Sequence, residues 1–110
     1  MTETDIQTEI RLALGREPDL TLWRNNTGVA EHRGRRVRYG LSVGSSDLIG
    51  ILAPTGRLVA LEVKTPKGRA ADAQKMFLDL VRSRGGFAAI VRSVQDARSA
   101  IERARRGESE

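Results

Sequence analysis

The 110-residue sequence contains no cysteine and a single histidine, His32. Without thiols the chain cannot form a disulfide framework, a thiolate zinc site or a cysteine nucleophile. One histidine cannot build an imidazole metal centre either. Any metal ion that the protein binds must therefore sit on oxygen ligands, which suit hard cations.

Long apolar runs are also absent, because no stretch approaches the ~20 apolar residues that a membrane-spanning helix needs. The first five residues include two carboxylates and no basic side chain, unlike a secretory signal. We therefore expect an intracellular protein with no membrane partner. A content of 39% hydrophobic and 30% charged residues suits one globular domain. We expect this domain to span residues 1–106 and to end in a flexible tail, residues 107–110.

Basic residues outnumber acidic ones by 19 to 14, which gives a formal charge of +5. Sixteen of the 19 are arginine, whose planar guanidinium matches phosphate oxygens, so DNA is the first partner to consider. A GC-rich genome also favours arginine codons, and this explanation stays open. The candidate phosphate contacts lie in two segments predicted to be exposed: Arg33, Arg35, Arg36, Arg38, Lys67 and Arg69.

Hydrophobic periodicity predicts an α/β fold. The predicted elements are a helix from a Thr4 cap to Gly15, a strand Leu20–Arg24, a hairpin of Asp47–Ala53 and Arg57–Lys64, a helix Ala70–Arg84, a strand Phe87–Val91 and a helix from a Ser93 cap towards Arg106. A helix that crosses between two strands favours a parallel pair. We therefore predict a mixed central sheet flanked by helices, in the order αβββαβα.

Two of the predicted helices carry an apolar stripe at helical spacing, which should face the core. The first stripe is Ile6, Ile10, Ala13 and Leu14, and the second is Ala73, Phe77, Leu80 and Val81.

The predicted hairpin brings three charged residues together if its register is right. A four-residue connecting loop pairs Ala53 with Leu58. That register sets Asp47 opposite Lys64, whereas a two-residue loop would set it opposite Glu62. Both registers keep the three charged side chains on one face of the sheet, but a three-residue loop without a bulge separates them.

Glu62 and Lys64 place two charges on a strand that is otherwise apolar. Burying such groups is costly unless they are paired or bound to a metal. Asp47 and Glu62 could hold Mg²⁺, which binds through one or two carboxylates together with a substrate phosphate. Lys64 could orient or deprotonate a water molecule or neutralise charge in the transition state. The competing interpretation is an ordinary solvent-facing ion pair at a strand end.

Four features follow one another along the chain: Gly44-Ser45-Ser46-Asp47-Leu48, Leu61-Glu62-Val63-Lys64, Gln74 on the next helix, and Gly85-Gly86 before a strand. In this order they resemble the PD-(D/E)XK nuclease superfamily, and within it the VRR-NUC domain family. The resemblance runs from the first helix to the Phe87–Val91 strand and implies a restriction-endonuclease-like core. One departure is Ser46, which stands where the motif has a proline before the aspartate.

The resemblance also implies roles for single residues. Asp47 and Glu62 match the metal ligands, the Val63 carbonyl is a further candidate ligand, and Lys64 matches the catalytic lysine.

Two supporting residues are implied by the same resemblance. Glu9 matches the first-helix glutamate that completes such metal sites, although a helix-edge glutamate could instead pair with Arg24. Gln74 matches the glutamine that supports the site from the following helix, against the alternative of a plain surface residue.

Stand-alone members of the family are similar in length to this chain. The resemblance implies a homodimer that cuts branched DNA, including four-way (Holliday) junctions, with Mg²⁺ or Mn²⁺. Two other functions stay open: a restriction-like nuclease with sequence preference, and a non-catalytic DNA-binding or replication accessory module. Trp23 is interpreted as a core or dimer-interface anchor in preference to a base-stacking platform.

Overall fold

A computed structural model describes all residues from 1 to 110 as three helices, a four-stranded sheet and a separate two-stranded hairpin. The elements are α1 (Glu3–Leu14), β1 (Leu20–Arg24), β2 (Gly28–His32), β3 (Arg35–Tyr39), β4 (Leu48–Leu52), β5 (Arg57–Val63), α2 (Asp72–Ser83), β6 (Phe87–Val91) and α3 (Val94–Arg105). None of the three helices is long and apolar enough to span a membrane.

The central sheet has the strand order β1-β4-β5-β6. β4 pairs antiparallel with both β1 and β5, whereas β6 lies parallel to β5. α2 connects the two parallel strands, as a crossover helix must. The predicted mixed sheet and the order αβββαβα are confirmed, with the β2–β3 hairpin inserted between the first two core strands.

Alternating side chains of the sheet form two apolar layers. The larger layer faces α1 and α3, and it joins strand residues such as Leu48, Leu61 and Phe87 to Ile10 and Ile101 of the helices. All five of these side chains are buried. This layer holds most of the core and fixes the position of β5 in the middle of the sheet.

The smaller layer faces α2 and contains Ile49, Ala60, Leu78, Val81 and Ala88. α2 packs mainly on β5 and β6, and part of the sheet face formed by β1 and β4 stays exposed, including Trp23 and Ile51. The expected stripe on α2 was partly wrong. Ala73 and Leu80 are exposed, and Leu78 is buried in their place, because the helix is apolar on more than one side.

An apolar groove results from this incomplete cover. It has a volume of about 770 Å³ and is lined mainly by apolar side chains of β1, β4, β5, α2 and the loop before β4. Its principal apolar residues are Trp23, Leu41, Ile49, Leu58, Phe77 and Leu80. Trp23 is 45% exposed and Leu80 is 51% exposed, so Trp23 is not a core residue.

The first turn of α1 begins two residues earlier than expected. Thr2, not Thr4, is the N-cap: its hydroxyl accepts a hydrogen bond from the Asp5 N–H, and the Asp5 carboxylate accepts one from the Thr2 N–H. This reciprocal capping box satisfies two N–H groups at once, which selects Thr2 over Thr4. The helix ends at Leu14 before Gly15, as predicted, and Ser93 caps α3.

The segment that carries four arginines forms a hairpin of β2 and β3 that pairs only within itself. Arg33 and Gly34 form its two-residue turn with φ values of 52° and 75°, which match a type I′ turn. The prediction that this segment is exposed is confirmed, because Arg33, Arg35, Arg36 and Arg38 are all exposed.

Residues 107–110 are not a loose tail. The Ala88 N–H donates to the Ser109 carbonyl over 3.0 Å, and the Arg103 guanidinium donates to the Glu110 carbonyl. Arg82 forms an ion pair with the Glu110 side chain at 3.3 Å. The expectation of a flexible tail is therefore wrong, because these contacts tie the last residues to β6, α2 and α3.

Candidate active site

The register of the β4–β5 hairpin brings Asp47, Glu62 and Lys64 to one face of the sheet. Leu48 pairs with Leu61, so the same register continued by one residue sets Asp47 opposite Glu62. The expected pairing of Ala53 with Leu58 does not occur. The connecting loop has four residues, 53–56, one position before the loop 54–57 that the first alternative required, and the register is that of the second alternative.

Asp47 lies just before β4 and points towards the end of β5. Its Oδ2 atom accepts a hydrogen bond of 2.8 Å from the backbone N–H of Val63. This bond orients the carboxylate and leaves Oδ1 available for another ligand. Val63 itself is fully buried, and its carbonyl remains a candidate ligand from the sequence prediction.

Glu62 is the most unusual residue in the sheet, since its side chain is charged at neutral pH in water and yet the residue is only 1% exposed. Its Oε1 atom accepts a hydrogen bond of 2.9 Å from Gln74 Nε2 and lies 3.8 Å from Lys64 Nζ. Its Oε2 atom is buried and has no hydrogen-bond partner. A buried carboxylate oxygen without a partner is costly, and it fits the position of a cation ligand.

Burial raises the pKa of Glu62 from 4.5 to about 8. The negative charge of Asp47 contributes to this rise, and the Lys64 ammonium opposes it. Two carboxylates that share a site disfavour each other's ionised form unless a cation lies between them. The site therefore holds a proton on Glu62 when no metal is bound.

Gln74 lies in the first turn of α2 and faces the site. While Nε2 donates to Glu62, the Gln74 Oε1 atom accepts a hydrogen bond of 2.8 Å from the Ala71 N–H at the start of the helix. The bond from the Ala71 N–H fixes the Gln74 side chain in the rotamer in which Nε2 reaches Glu62. The structure thus brings Gln74 to Glu62 as the sequence prediction required, and the surface-residue alternative does not hold.

Glu9 does not join the cluster. It is exposed, and the structure contains no group of three or more His, Cys, Asp or Glu side chains that could hold a metal ion. The carboxylate of α1 that does act on the site is Glu3, whose charge raises the pKa of Glu62. Glu3, like Glu9, is exposed, and its charge is the smallest of the contributions to the Glu62 pKa.

Lys64 follows β5 directly and is only 8% exposed. Its backbone N–H donates to the Val91 carbonyl, which extends the pairing of β5 with β6 by one residue. After it, the chain turns through residues 65–68, where the Arg92 guanidinium donates to the carbonyls of Thr65 and Gly68 at 2.6 Å each. Arg92 therefore holds the loop that leads away from the lysine, a contact that no sequence pattern indicated.

The remaining candidates, Lys67 and Arg69, are exposed in the segment that follows Lys64. They lie close to Lys64 along the chain, and neither side chain forms an ion pair within the protein. Both are thus free to contact a phosphate near the carboxylates. The site combines two carboxylates, a buried lysine and free cations nearby, which is a set of groups suited to phosphodiester hydrolysis.

Comparison with known proteins agrees with this arrangement. The sequence profile of the VRR-NUC domain matches residues 29–95, which include Asp47, Glu62, Lys64 and Gln74. A solved structure described as a VRR_NUC domain protein aligns over 100% of this chain and 97% of its own chain, with a TM-score of 0.65 and 19% sequence identity. The two proteins share a fold. No curated protein matches the chain.

Proposed function

Since the chain belongs to the VRR-NUC domain family of PD-(D/E)XK nucleases, we propose that it is a metal-dependent endonuclease that cuts branched DNA such as four-way junctions. One observation carries the proposal: a buried Glu62 with an unpartnered oxygen lies beside Asp47 and Lys64. A structural ion pair would leave no carboxylate oxygen unsatisfied. A catalytic site for a cation and a phosphate accounts for all three groups.

Mg²⁺ or Mn²⁺ fits the donor set, because Asp47 Oδ1 and Glu62 Oε2 are oxygen atoms without partners in the protein. The Val63 carbonyl is proposed as a further ligand, and Glu3 supplies a third negative charge nearby. Two carboxylates suffice for Mg²⁺, which usually keeps several waters. When bound, the cation would neutralise charge on the scissile phosphate.

Lys64 is proposed to act on the attacking water and the developing phosphate charge. Its ammonium lies 3.8 Å from Glu62 Oε1, so it is held at the site without a close hydrogen bond that would have to break. Low exposure strengthens its electrostatic effect on a phosphate. Gln74 keeps the Glu62 carboxylate in place during the reaction.

The β2–β3 hairpin is proposed to contact DNA phosphates. Replacing all four of its arginines by alanine should weaken binding and flatten its salt dependence, by about 0.9 in the log–log slope for each phosphate that is no longer neutralised. Fluorescence anisotropy with labelled duplex at several salt concentrations measures the slope. Replacing Arg11 and Arg98, which are exposed on α1 and α3, is the matched control. An unchanged slope in the hairpin variant would remove the hairpin from the DNA interface.

A homodimer is proposed to form through the apolar groove. Contiguous apolar surface of this kind marks an interaction site, and two symmetric sites suit the two strands of a junction. Leu80→Asp should shift the protein from dimer to monomer in sedimentation velocity, and circular dichroism should show the monomer folded, because Leu80 is exposed in one chain. Leu12→Asp is the control, since Leu12 is 70% exposed on α1. If Leu80→Asp stays dimeric, the groove is not the interface.

The test of the function uses the purified protein with labelled four-way junction, flap, single-stranded and plain duplex DNA. Each substrate is incubated with Mg²⁺, Mn²⁺ or a chelator, and products are mapped to the nucleotide. We expect metal-dependent cuts near the branch point of the junction. Equal cutting of plain duplex would remove the branched-DNA proposal. Tight binding without cutting by any metal would favour an accessory module that keeps the fold without the activity.

A further inference from the structure

Asp47 sits at the end of a stretch without regular structure, and one side chain holds that stretch in place. The Asn25 side-chain amide donates to the Ser45 hydroxyl over 2.8 Å and to the Ser46 carbonyl over 2.9 Å. The backbone N–H of Asn25 donates to the Asp47 carbonyl over 2.8 Å. One residue thus contacts three consecutive residues up to and including the carboxylate that faces Glu62.

Ser46 does not stabilise this stretch by itself. It is completely buried, yet its hydroxyl has no hydrogen-bond partner, and its backbone N–H donates no hydrogen bond within the protein. The polar contacts that fix the peptide before Asp47 therefore come from Asn25. The unsatisfied Ser46 hydroxyl costs free energy and adds nothing that fixes the position of this residue.

The other side of the stretch is fixed by close packing. Gly44 has a φ of +85°, and a side chain there would come within 2.5 Å of the Ala73 carbonyl in α2. The stretch therefore lies between the start of α2, where Gly44 contacts Ala73, and Asn25, which follows β1. Gly44 packs against α2, and the Ser45 N–H donates to the Ser42 carbonyl, whereas the hydrogen bond that Ser46 accepts comes from Asn25.

We propose that Asn25 is a positioning residue for Asp47. This inference rests on the proposed function, since it assigns Asn25 a role in the geometry of the same metal site. The Val63 N–H orients the Asp47 carboxylate, and the Asn25 main-chain N–H holds the Asp47 carbonyl. The Asn25 side chain adds the bonds to Ser45 and Ser46 that hold the two residues before Asp47, and these are the bonds that an alanine removes. A shift of this backbone changes the distance between Asp47 Oδ1 and Glu62 Oε2, and metal binding depends on that distance.

The first experiment compares Asn25→Ala with Asn26→Ala. Asn26 is the adjacent exposed asparagine and its side chain makes no hydrogen bond, so it is a matched control. For Asn25→Ala we expect the Mg²⁺ concentration for half-maximal cleavage to rise about tenfold, in line with the loss of a residue that orients a ligand. The KM for DNA should change less than twofold, and Asn26→Ala should match the parent. Assays are run at a temperature where circular dichroism shows all variants folded.

A second variant separates positioning from plain stability. Proline restricts its own backbone and that of the residue before it. At position 46 it would remove no hydrogen bond, because the Ser46 N–H donates none. Asn25→Ala combined with Ser46→Pro should therefore move the Mg²⁺ midpoint back towards the parent value. If the double variant regains unfolding temperature but not the Mg²⁺ midpoint, Asn25 is only a structural residue and the proposal is overturned.

Direct titration with Mn²⁺, followed by electron paramagnetic resonance, keeps this proposal distinct from the proposed function. If the parent binds Mn²⁺ without cutting any DNA, the nuclease proposal fails, while weaker Mn²⁺ binding by Asn25→Ala still supports the positioning role. An unchanged Mn²⁺ affinity in Asn25→Ala overturns the role, and so does a rise in the KM for DNA alone. A parent that binds no Mn²⁺ overturns both.

Discussion

Glu62→Gln should abolish metal-dependent cleavage and, at the same time, stabilise the metal-free protein at pH 8. Burial and the charge of Asp47 raise the pKa of Glu62 from 4.5 to about 8, so the folded chain holds this proton more tightly than the unfolded chain does. The stability that Glu62 contributes is therefore complete below pH 4.5 and is lost as the pH rises to about 8. A glutamine stays neutral throughout and keeps an oxygen for the Gln74 bond.

Denaturant unfolding in the presence of a chelator, at pH values from 4.5 to 9, measures this effect. Between the two pKa values the parent should lose at most about 1.4 kcal/mol per pH unit through this group, and Glu62→Gln should lack that part of the slope. Glu9→Gln is the control, because Glu9 is an exposed carboxylate outside the cluster. Retained cleavage by Glu62→Gln, or a parent-like slope, would contradict the assignment of the buried proton.

The same pKa links metal binding to pH. A cation needs the ionised form of Glu62, so binding must release the proton that the metal-free site holds. The apparent Mg²⁺ affinity of the parent should rise by up to about tenfold per pH unit below pH 8 and level off above it.

Lys64→Ala should lower single-turnover cleavage at saturating DNA by about 10²-fold to 10⁴-fold, the range that a positioned proton-transfer or charge-stabilising group contributes. The loss should appear in the rate constant, because Lys64 is nearly buried and contributes little surface for DNA binding. Lys67→Ala, in the exposed loop that follows, should instead weaken DNA binding and leave the maximal rate nearly unchanged.

Lys64→Arg tests the chemistry more finely. Arginine keeps the positive charge but cannot exchange a proton near neutral pH, and its wide planar head does not fit the place of an ammonium. A variant with most of the parent rate would mean that charge alone is required at position 64. A parent-like rate in Lys64→Ala would remove the lysine from the catalytic machinery.

The architecture could be predicted because the apolar runs are distinct from one another and follow in a clear order. Two apolar strands separated by a helix of twelve residues leave few alternatives to a parallel crossover, and the structure confirms it. The position of the β4–β5 loop could not be fixed in the same way, because Pro54 and Gly56 suit more than one turn. Only the pairing of Leu48 with Leu61 decides between the registers.

The error in the predicted stripe of α2 has a physical origin. A helix that is apolar on more than one side offers several stripes of similar quality, and the tertiary partner selects one. In α2 the sheet selects Leu78 and leaves Leu80 in the open groove. In α1 the predicted stripe is buried at Ile6, Ile10 and Leu14, and Glu9 lies beside it as an exposed side chain.

The sequence was enough to find the site residues that interrupt an apolar strand. It was not enough to find the residues that hold those site residues in place. Glu62 stands out because it is a charge in a buried strand. Asn25 reads as an ordinary turn residue, and its contact with Ser46 links positions 21 residues apart in the chain. Arg92 is one of sixteen arginines, and only the fold shows that it binds the carbonyls after Lys64.

The apolar groove links the nuclease activity to the concentration of the protein. Asn25 and Leu41 line the groove and also flank the stretch that leads to Asp47. If a second copy of the chain fills the groove, association stabilises the geometry of the metal site, and the two equilibria are linked. Specific activity would then rise with protein concentration instead of staying constant. The enzyme would have low specific activity at low protein concentration. It would cut DNA efficiently only above the concentration at which the dimer forms.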